Sequence, residues 1–310
     1  MEIKDLGQSE IEIIGEVSAD DFASFKSAAL ERLGSRYNIE GFRPGHVPTN
    51  ILEQKIGQDK VLTEMAELAL SKHYPKILDE KKIDALGQPT IVITKLAPGN
   101  PLGFKIKTAV FPEFKLPDYK ALATKESGLE IVAPVSEAEI DEAINKLGPN
   151  QPEIPDFRLK VKEALEHDKV RQANDKRRVK ILEAIRTETK MVLPPILINS
   201  ELHKMLSEFK GEIKSMGVEY TDYLKKIEKT EEQLLTDWRE MAIKRVEIGL
   251  ILDAIAREEK IAPDTIKLEE EVKKLTTAHP DADEHRVRAY LSELFTNEAV
   301  ITFLEKQLVA

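Results

Sequence analysis

The residues best placed to act in this sequence make contacts rather than bonds. In Gly41-Phe42-Arg43-Pro44-Gly45-His46-Val47-Pro48, two prolines fix φ and lack an amide donor. Pro44 pushes Arg43 toward extended backbone, and two glycines admit backbone angles closed to other residues. Helical patterns flank the octapeptide, so it is expected as a stiff, presented tip. It carries one aromatic and one guanidinium, two side-chain types that dominate interface energetics. Bond-making chemistry finds no footing. His46, His73, His167, His203, His279 and His285 are scattered, with no His-Glu-x-x-His pair. Asp281, Asp283 and Glu284 beside His285 lack the glycine and distal glutamate of a calcium loop and read as an acidic helix start. There is no phosphate-cradling glycine loop and no nucleophile elbow, so no catalytic residue, metal or cofactor is assigned. Lys176, Arg177, Arg178 and Lys180 offer charge to RNA but read as a solvated helix face.

A second set of contact residues lies in the C-terminal half. Met205, Phe209, Met216, Tyr220, Tyr223, Met241, Tyr290 and Phe295 are candidates to line an open, adaptable apolar surface that binds polypeptide, since methionine repacks easily against varied partners. Each could equally be core. As a set they exceed what thin helical arms can bury, so some are expected to face an open groove.

The elements that must position these residues follow from periodicity. In the segment 1–117, Ser9 to Val17 alternates as a strand. Asp20 to Asn38 repeats Phe22, Phe25, Ala29 and Leu33 at helical spacing. After the tip, Pro48 suits the first turn of a short helix, Asp59 to Lys82 forms a longer one, and Thr90 to Thr94 and Leu102 to Phe111 form a hairpin. The order is β-α-loop-α-α-β-β. Residues 118–155 are punctuated by Pro117, Gly128, Pro134, Gly148, Pro149, Pro152 and Pro155. They read as an extended linker holding one short helix, Glu137 to Leu147, opened by a Ser136/Glu139 capping box. From 156 to 310 the pattern is all helical: 157–190, Ile196 to Met216 closed by Gly217, a short piece from Tyr220, a long helix after Thr230 and Gln233, one begun by Asp264, and a last one begun within Asp281 to Glu284. The fold class is therefore an α+β N-terminal domain joined by an extended linker to an all-α C-terminal domain with helical arms.

Composition agrees. The 310 residues are 33% charged and 5% aromatic, with no cysteine and net charge −10. Residues 1–117 hold 15 Lys and Arg against 17 Asp and Glu, leaving 31 against 39 in the remainder. No region is basic enough for autonomous nucleic-acid binding, so any RNA contact must be local to Arg43. The absence of cysteine fits a reducing compartment. With no apolar signal core and no run of about 20 apolar residues, a cytoplasmic chain without a membrane partner is expected.

The tip also carries a resemblance. Gly41, Phe42, Arg43, Gly45 and Pro48 match the Gly-Phe-Arg-x-Gly-x-x-Pro signature of bacterial trigger factor, a ribosome-associated chaperone. The position after Arg43, often lysine in that family, is Pro44. Similarity extends through Leu86-Gly87-Gln88-Pro89, Phe111-Pro112-Glu113, Val192 to Glu201 and Arg245 to Leu252. It implies a ribosome-binding domain over 1–117, with Gly41 to Pro48 contacting a large-subunit protein and adjoining rRNA at the exit tunnel, and a chaperone domain over 156–310 that shields nascent or unfolded polypeptides without ATP. The family's FKBP-like prolyl isomerase domain has no counterpart, because Leu147 to Pro155 runs straight into the next helix. A ribosome-independent holdase or assembly factor, a residual isomerase and a helical scaffold are the alternatives. Whether the chain forms a homodimer is left open.

Overall fold

The structure, a computed structural model, describes residues 1–37, 39, 42, 47–126, 133–146 and 156–307. In chain order its elements are β1 (Glu2–Gly7), β2 (Glu10–Val17), α1 (Ala19–Ser24), α2 (Lys26–Arg36), α3 (Thr49–Ile56), α4 (Gln58–Lys81), β3 (Ala85–Lys95), β4 (Leu102–Val110), α5 (Tyr119–Glu126), α6 (Glu137–Lys146), α7 (Phe157–Glu188), α8 (Pro195–Ser215), α9 (Tyr220–Lys226), α10 (Glu231–Glu259), α11 (Thr265–Ala278) and α12 (Glu284–Lys306). A small sheet is followed by a mostly helical chain, as the periodicities imply. Two compact units, each discontinuous in sequence, make it up: Met1–Glu113 with Val192–Arg239, and Phe114–Met191 with Glu240–Ala310.

In the first unit the four strands run antiparallel in the order β1-β2-β4-β3. Ile13 and Val17 of β2 and Leu102, Phe104 and Ile106 of β4 pack beneath α1 to α4 with Phe22, Leu33, Leu52, Met65 and Leu70. Two features escape the periodicity. β1 is exposed along its whole length, so it has no in-out alternation to read. Ser18 caps the start of α1 by accepting from the Asp21 amide at 3.3 Å, and the helix expected from Asp20 is broken at Phe25, where α2 begins.

The same unit holds α8, α9 and the start of α10. The Ser9 hydroxyl donates to the Val192 carbonyl at 2.6 Å. Gly87, at φ +69°, lies so close to Ile196 that a Cβ there would stand 2.1 Å from its Cδ1. Only glycine fits both the backbone and the approach, which roots α8 on the sheet.

In the second unit, α5, α7, α10 and α12 share a core of Tyr119, Ala123, Ile181, Ile185, Ile251, Ile255, Val300 and Leu304. α5 was not legible in the linker. It is short, and Tyr119 and Ala123 supply its buried contacts. α6 begins with the expected capping box: the Ser136 amide donates to Glu139 Oε2 at 2.8 Å and the Glu139 amide to Ser136 Oγ at 3.3 Å. Thr230 and Gln233 exchange the same pair at 2.8 and 3.2 Å before α10. α11 and α12 form a hairpin around Leu268, Val272 and Leu291, with Val287 and Phe295 packed against them.

Candidate functional site

The octapeptide falls between α2 and α3 of the first unit. Gly41, Arg43, Pro44, Gly45 and His46 lie outside the described residues. Phe42 is half-buried and its amide donates to the Ile39 carbonyl at 3.0 Å. Ile39 and Val47 rest against the core, and the Pro48 carbonyl accepts from Ile51 and Leu52, starting α3. Both roots of the loop are thus tied to packed structure.

The end of α2 beside the loop holds residues that the sequence reading passed over. Glu64 of α4 is only 6% exposed. Its carboxylate takes Arg32 Nε at 3.0 Å and Arg36 Nη1 at 3.4 Å. Both guanidiniums remain part-exposed, and Lys60 sits 5.2 Å from the ring centroid of Tyr37. The visible signal was an i,i+4 arginine pair at a helix C-terminus, where the macrodipole favours cations. A buried carboxylate needs such partners, so Glu64 explains why the two arginines share one face.

The eight C-terminal candidates separate by environment. Met205 is buried, so its side chain is closed to a client. Phe209, Tyr220 and Tyr223 are half-buried and gather with Trp238, the ring centroids of Phe209 lying 6.5, 5.5 and 5.2 Å from Tyr220, Tyr223 and Trp238 at steep angles. The Tyr220 hydroxyl donates to Glu231 at 3.1 Å, and Lys210 sits on both that carboxylate, at 2.8 Å, and the Tyr220 ring. Burial, then the bonded Glu231, pushes the Tyr220 hydroxyl up to about 12. Lys210 in turn holds Glu231 below the usual carboxylate range. Met216 is 72% exposed and Tyr290 57% exposed, and Met241 is also exposed. Phe295 packs against the α11–α12 seam. Ile266, Leu275 and Leu294 of the hairpin are exposed apolar residues that the sequence reading did not select.

The remaining charged motifs resolve into structure. Arg178 makes paired contacts of 2.8 and 3.3 Å with Glu305, and Arg177 lies 3.7 Å from it. Asp283 accepts the amides of His285 and Arg286 at 2.9 and 3.2 Å, so the acidic cluster is the start of α12. Among the described residues no helix is long and apolar enough to cross a membrane.

A small antiparallel sheet roofed by helices, followed by long helical hairpins, is the fold of a solved chaperone. A structure described as promiscuous substrate recognition in folding and assembly activities of the trigger factor chaperone aligns with a TM-score of 0.59, covering 99% of this chain and 100% of that one at 14% identity. The sequence profiles agree: bacterial trigger factor protein (TF) matches residues 1–147, and bacterial trigger factor protein (TF) C-terminus matches 153–309. The chain belongs to the bacterial trigger factor family. Trigger factor of Streptomyces avermitilis is 28% identical over 145 residues, 47% of this chain and 30% of that protein, and that of Moorella thermoacetica 32% over 145 residues, 47% and 32%. These matches span about a third of those relatives. Trigger factor of Bacillus pumilus aligns over 373 positions at 22% identity, covering 85% of this chain and 88% of its own length. That alignment is longer than the 310 residues here, so the relative carries residues this chain lacks. The two profile matches leave only residues 148–152 between them, with no room for the isomerase domain.

Proposed function

We propose that this chain is an ATP-independent chaperone of the cytoplasm that docks at the exit tunnel of the large ribosomal subunit and shields nascent or unfolded polypeptides. In this reading residues 1–117 are the ribosome-binding domain, 118–155 the linker where the isomerase domain is absent, and 156–310 the chaperone domain. Gly41 to Pro48 touches a ribosomal protein and the adjoining rRNA, and Arg32 and Arg36, fixed by Glu64, add cations near its root. No cofactor and no membrane is involved, and with no isomerase domain the chain is not an enzyme.

The observation that carries the reading is the set of exposed apolar side chains on highly charged helices of each unit: Met216 in the first, and Met241, Ile266, Tyr290 and Leu294 in the second. Fully covering one such side chain is worth about 1.5–3 kcal/mol. Partial cover of several, set against the cost of ordering a flexible client, yields weak and reversible binding. Release then needs no nucleotide. Pro44, standing where the family often has lysine, removes one phosphate-seeking charge and favours a looser ribosome contact, which supports a free holdase as the second reading.

Ribosome co-sedimentation separates the two. Replacing Phe42, Arg43 and Pro44 together with Ala is expected to abolish pelleting with ribosomes while circular dichroism stays unchanged. A triple variant that still pellets at moderate salt would sink the docking role, and a wild-type chain that never pellets but protects a denatured client would favour the holdase.

A further inference from the structure

The two edges of the sheet are finished differently. β1 carries Glu2, Lys4 and Asp5 within its six residues, the charged edge by which sheets avoid continuing into neighbours. β3 carries no charge from Thr90 to Thr94, and every residue from Thr90 to Lys95 is exposed. Among the described residues, β4 alone pairs with β3, so its outer edge is open. The register shifts between Leu86 and Thr90 and between Ile93 and Lys95 bound a regular stretch, Thr90 to Ile93. Bulges twist an edge away from partners, so only this stretch can serve. In an antiparallel ladder alternate residues turn both N–H and C=O away from the partner strand. Two of these four residues therefore present their backbone groups to the outside, where an extended peptide can bond to them.

The two faces beside this edge select different side chains. Ile91 pairs with Ile106 and Ile93 with Phe104, both core residues, so the two isoleucines form the open rim of the apolar face. Thr90 and Val92 share the opposite face with Lys107 and Lys105. Lys107 is bound to Glu10 at 2.7 Å. Lys105 is exposed and, among the described residues, has no ion-pair partner. A strand added outside β3 sets the residue opposite Val92 two strand spacings, about 10 Å, from the backbone of Lys105. Extended lysine and glutamate side chains close that gap together. Residues opposite Ile91 and Ile93 instead continue the apolar rim, where cross-strand pairs with β-branched side chains are stabilising. We propose that the free edge of β3 receives an extended polypeptide segment as a fifth strand, with apolar residues opposite Ile91 and Ile93 and an acidic residue opposite Val92. This site rests on the chaperone reading and supplies it with a class of client segment, a carboxylate flanked by two apolar residues. The pattern is the same in either strand direction. So short a ladder, set against the cost of ordering a flexible segment, binds weakly and releases fast.

The test is a titration of isotope-labelled full-length protein, followed by amide NMR, with the peptide acetyl-Thr-Val-Glu-Val-Thr-amide and its counterpart carrying lysine in place of glutamate. The glutamate peptide should shift the amides of Thr90 to Ile93 and bind about two- to fivefold more tightly than the lysine peptide, the range of one exposed ion pair. Lys105→Glu should reverse that order with unchanged circular dichroism. Ile91→Ser combined with Ile93→Ser should weaken both peptides. Equal affinities in wild type, an order that K105E leaves unchanged, or shifts confined to regions other than β3 overturn the proposal. Amide signals of β3 that move with protein concentration alone, and not with peptide, would put a second copy on the edge and overturn it as well. Protection of a denatured client is measured alongside. A chain that protects the client while peptide leaves β3 untouched loses only this site, and a chain that neither protects nor binds loses the chaperone reading with it.

Discussion

Phe209→Leu should loosen one end of the helical arms without unfolding the chain. Phe209 meets Tyr223 and Trp238 at 5.5 and 5.2 Å and Tyr220 at 6.5 Å, all nearly edge to face. Such pairs contribute about 0.5–1.5 kcal/mol each beyond area burial, and the third pair lies near the outer limit of useful separation. Leucine keeps most of the aliphatic bulk and loses the ring contacts, so the expected loss is about 1–3 kcal/mol. Trp238 is the single tryptophan of the chain and belongs to this cluster, so its fluorescence reports the local transition directly. With a denaturant slope of about 1–3 kcal/mol per molar urea, the Trp238 midpoint should fall by about 1 M. A Tyr223→Leu partner in a double-mutant cycle should show coupling to Phe209. A Trp238 midpoint unmoved by F209L would refute the view that the rings hold α8, α9 and α10 together, and would return Phe209 to the set of free client contacts.

Acid should weaken the fold in a defined window. Lys169 and the Ser136 amide hold Glu139 down to about 2, Arg186 lowers Glu183, and Lys120 with Tyr119 lowers Glu259. Folded-state values below the ordinary one mean stability that is present above about pH 4.5 and lost as pH falls toward about 2; melting temperatures measured across that range should drop steadily, and a flat profile would contradict the pairings. Glu64→Ala strips Arg32 and Arg36 of their shared carboxylate and should cost about 1–3 kcal/mol in urea unfolding. In a protease-coupled peptide assay the chain should leave prolyl isomerisation at its uncatalysed seconds-to-minutes pace, and acceleration at sub-stoichiometric amounts would contradict the absence of an isomerase.

Much of this architecture was legible because buried faces leave periodicity. The stripe Phe22, Ala29 and Leu33, the caps at Ser136, Thr230, Asp264 and Asp283, and the Gly217 stop (φ +72°) all follow from local chemistry and recur in the structure. What escaped lacked a local signal. β1 buries nothing, so its residues carry no alternation. α5 owes its order to Tyr119, whose hydroxyl donates to Glu259 at 2.6 Å, a contact 140 residues away. Burial, then that carboxylate, pushes the Tyr119 hydroxyl well above its ordinary value. For the contact residues, residue type marked a candidate but not its exposure. Met205 and Met216 look alike in sequence, yet one is buried and the other faces water.

The exposed apolar residues of the second unit follow from helix geometry rather than from faulty packing. In the α11–α12 hairpin, Leu268, Val272 and Leu291 occupy the shared seam. A helix presents about 100° of surface to each neighbour, so a residue off that stripe has nothing to cover it. Ile266 lies on the far side of α11 from Leu268, and Tyr290 and Leu294 fall to one flank of the α12 stripe. Polar residues there would cost nothing in stability. Apolar ones, set among Glu269, Glu270, Glu271 and Lys273, offer isolated adhesive points on a charged surface. Replacing Tyr290 and Leu294 together with Ser should therefore leave the melting temperature within experimental scatter and reduce protection of a denatured client. Because the contacts are apolar, protection by the wild-type chain should not decline with added salt. A double variant that melts markedly lower would show that these side chains stabilise the fold, and one that protects as well as wild type would remove them from the client surface.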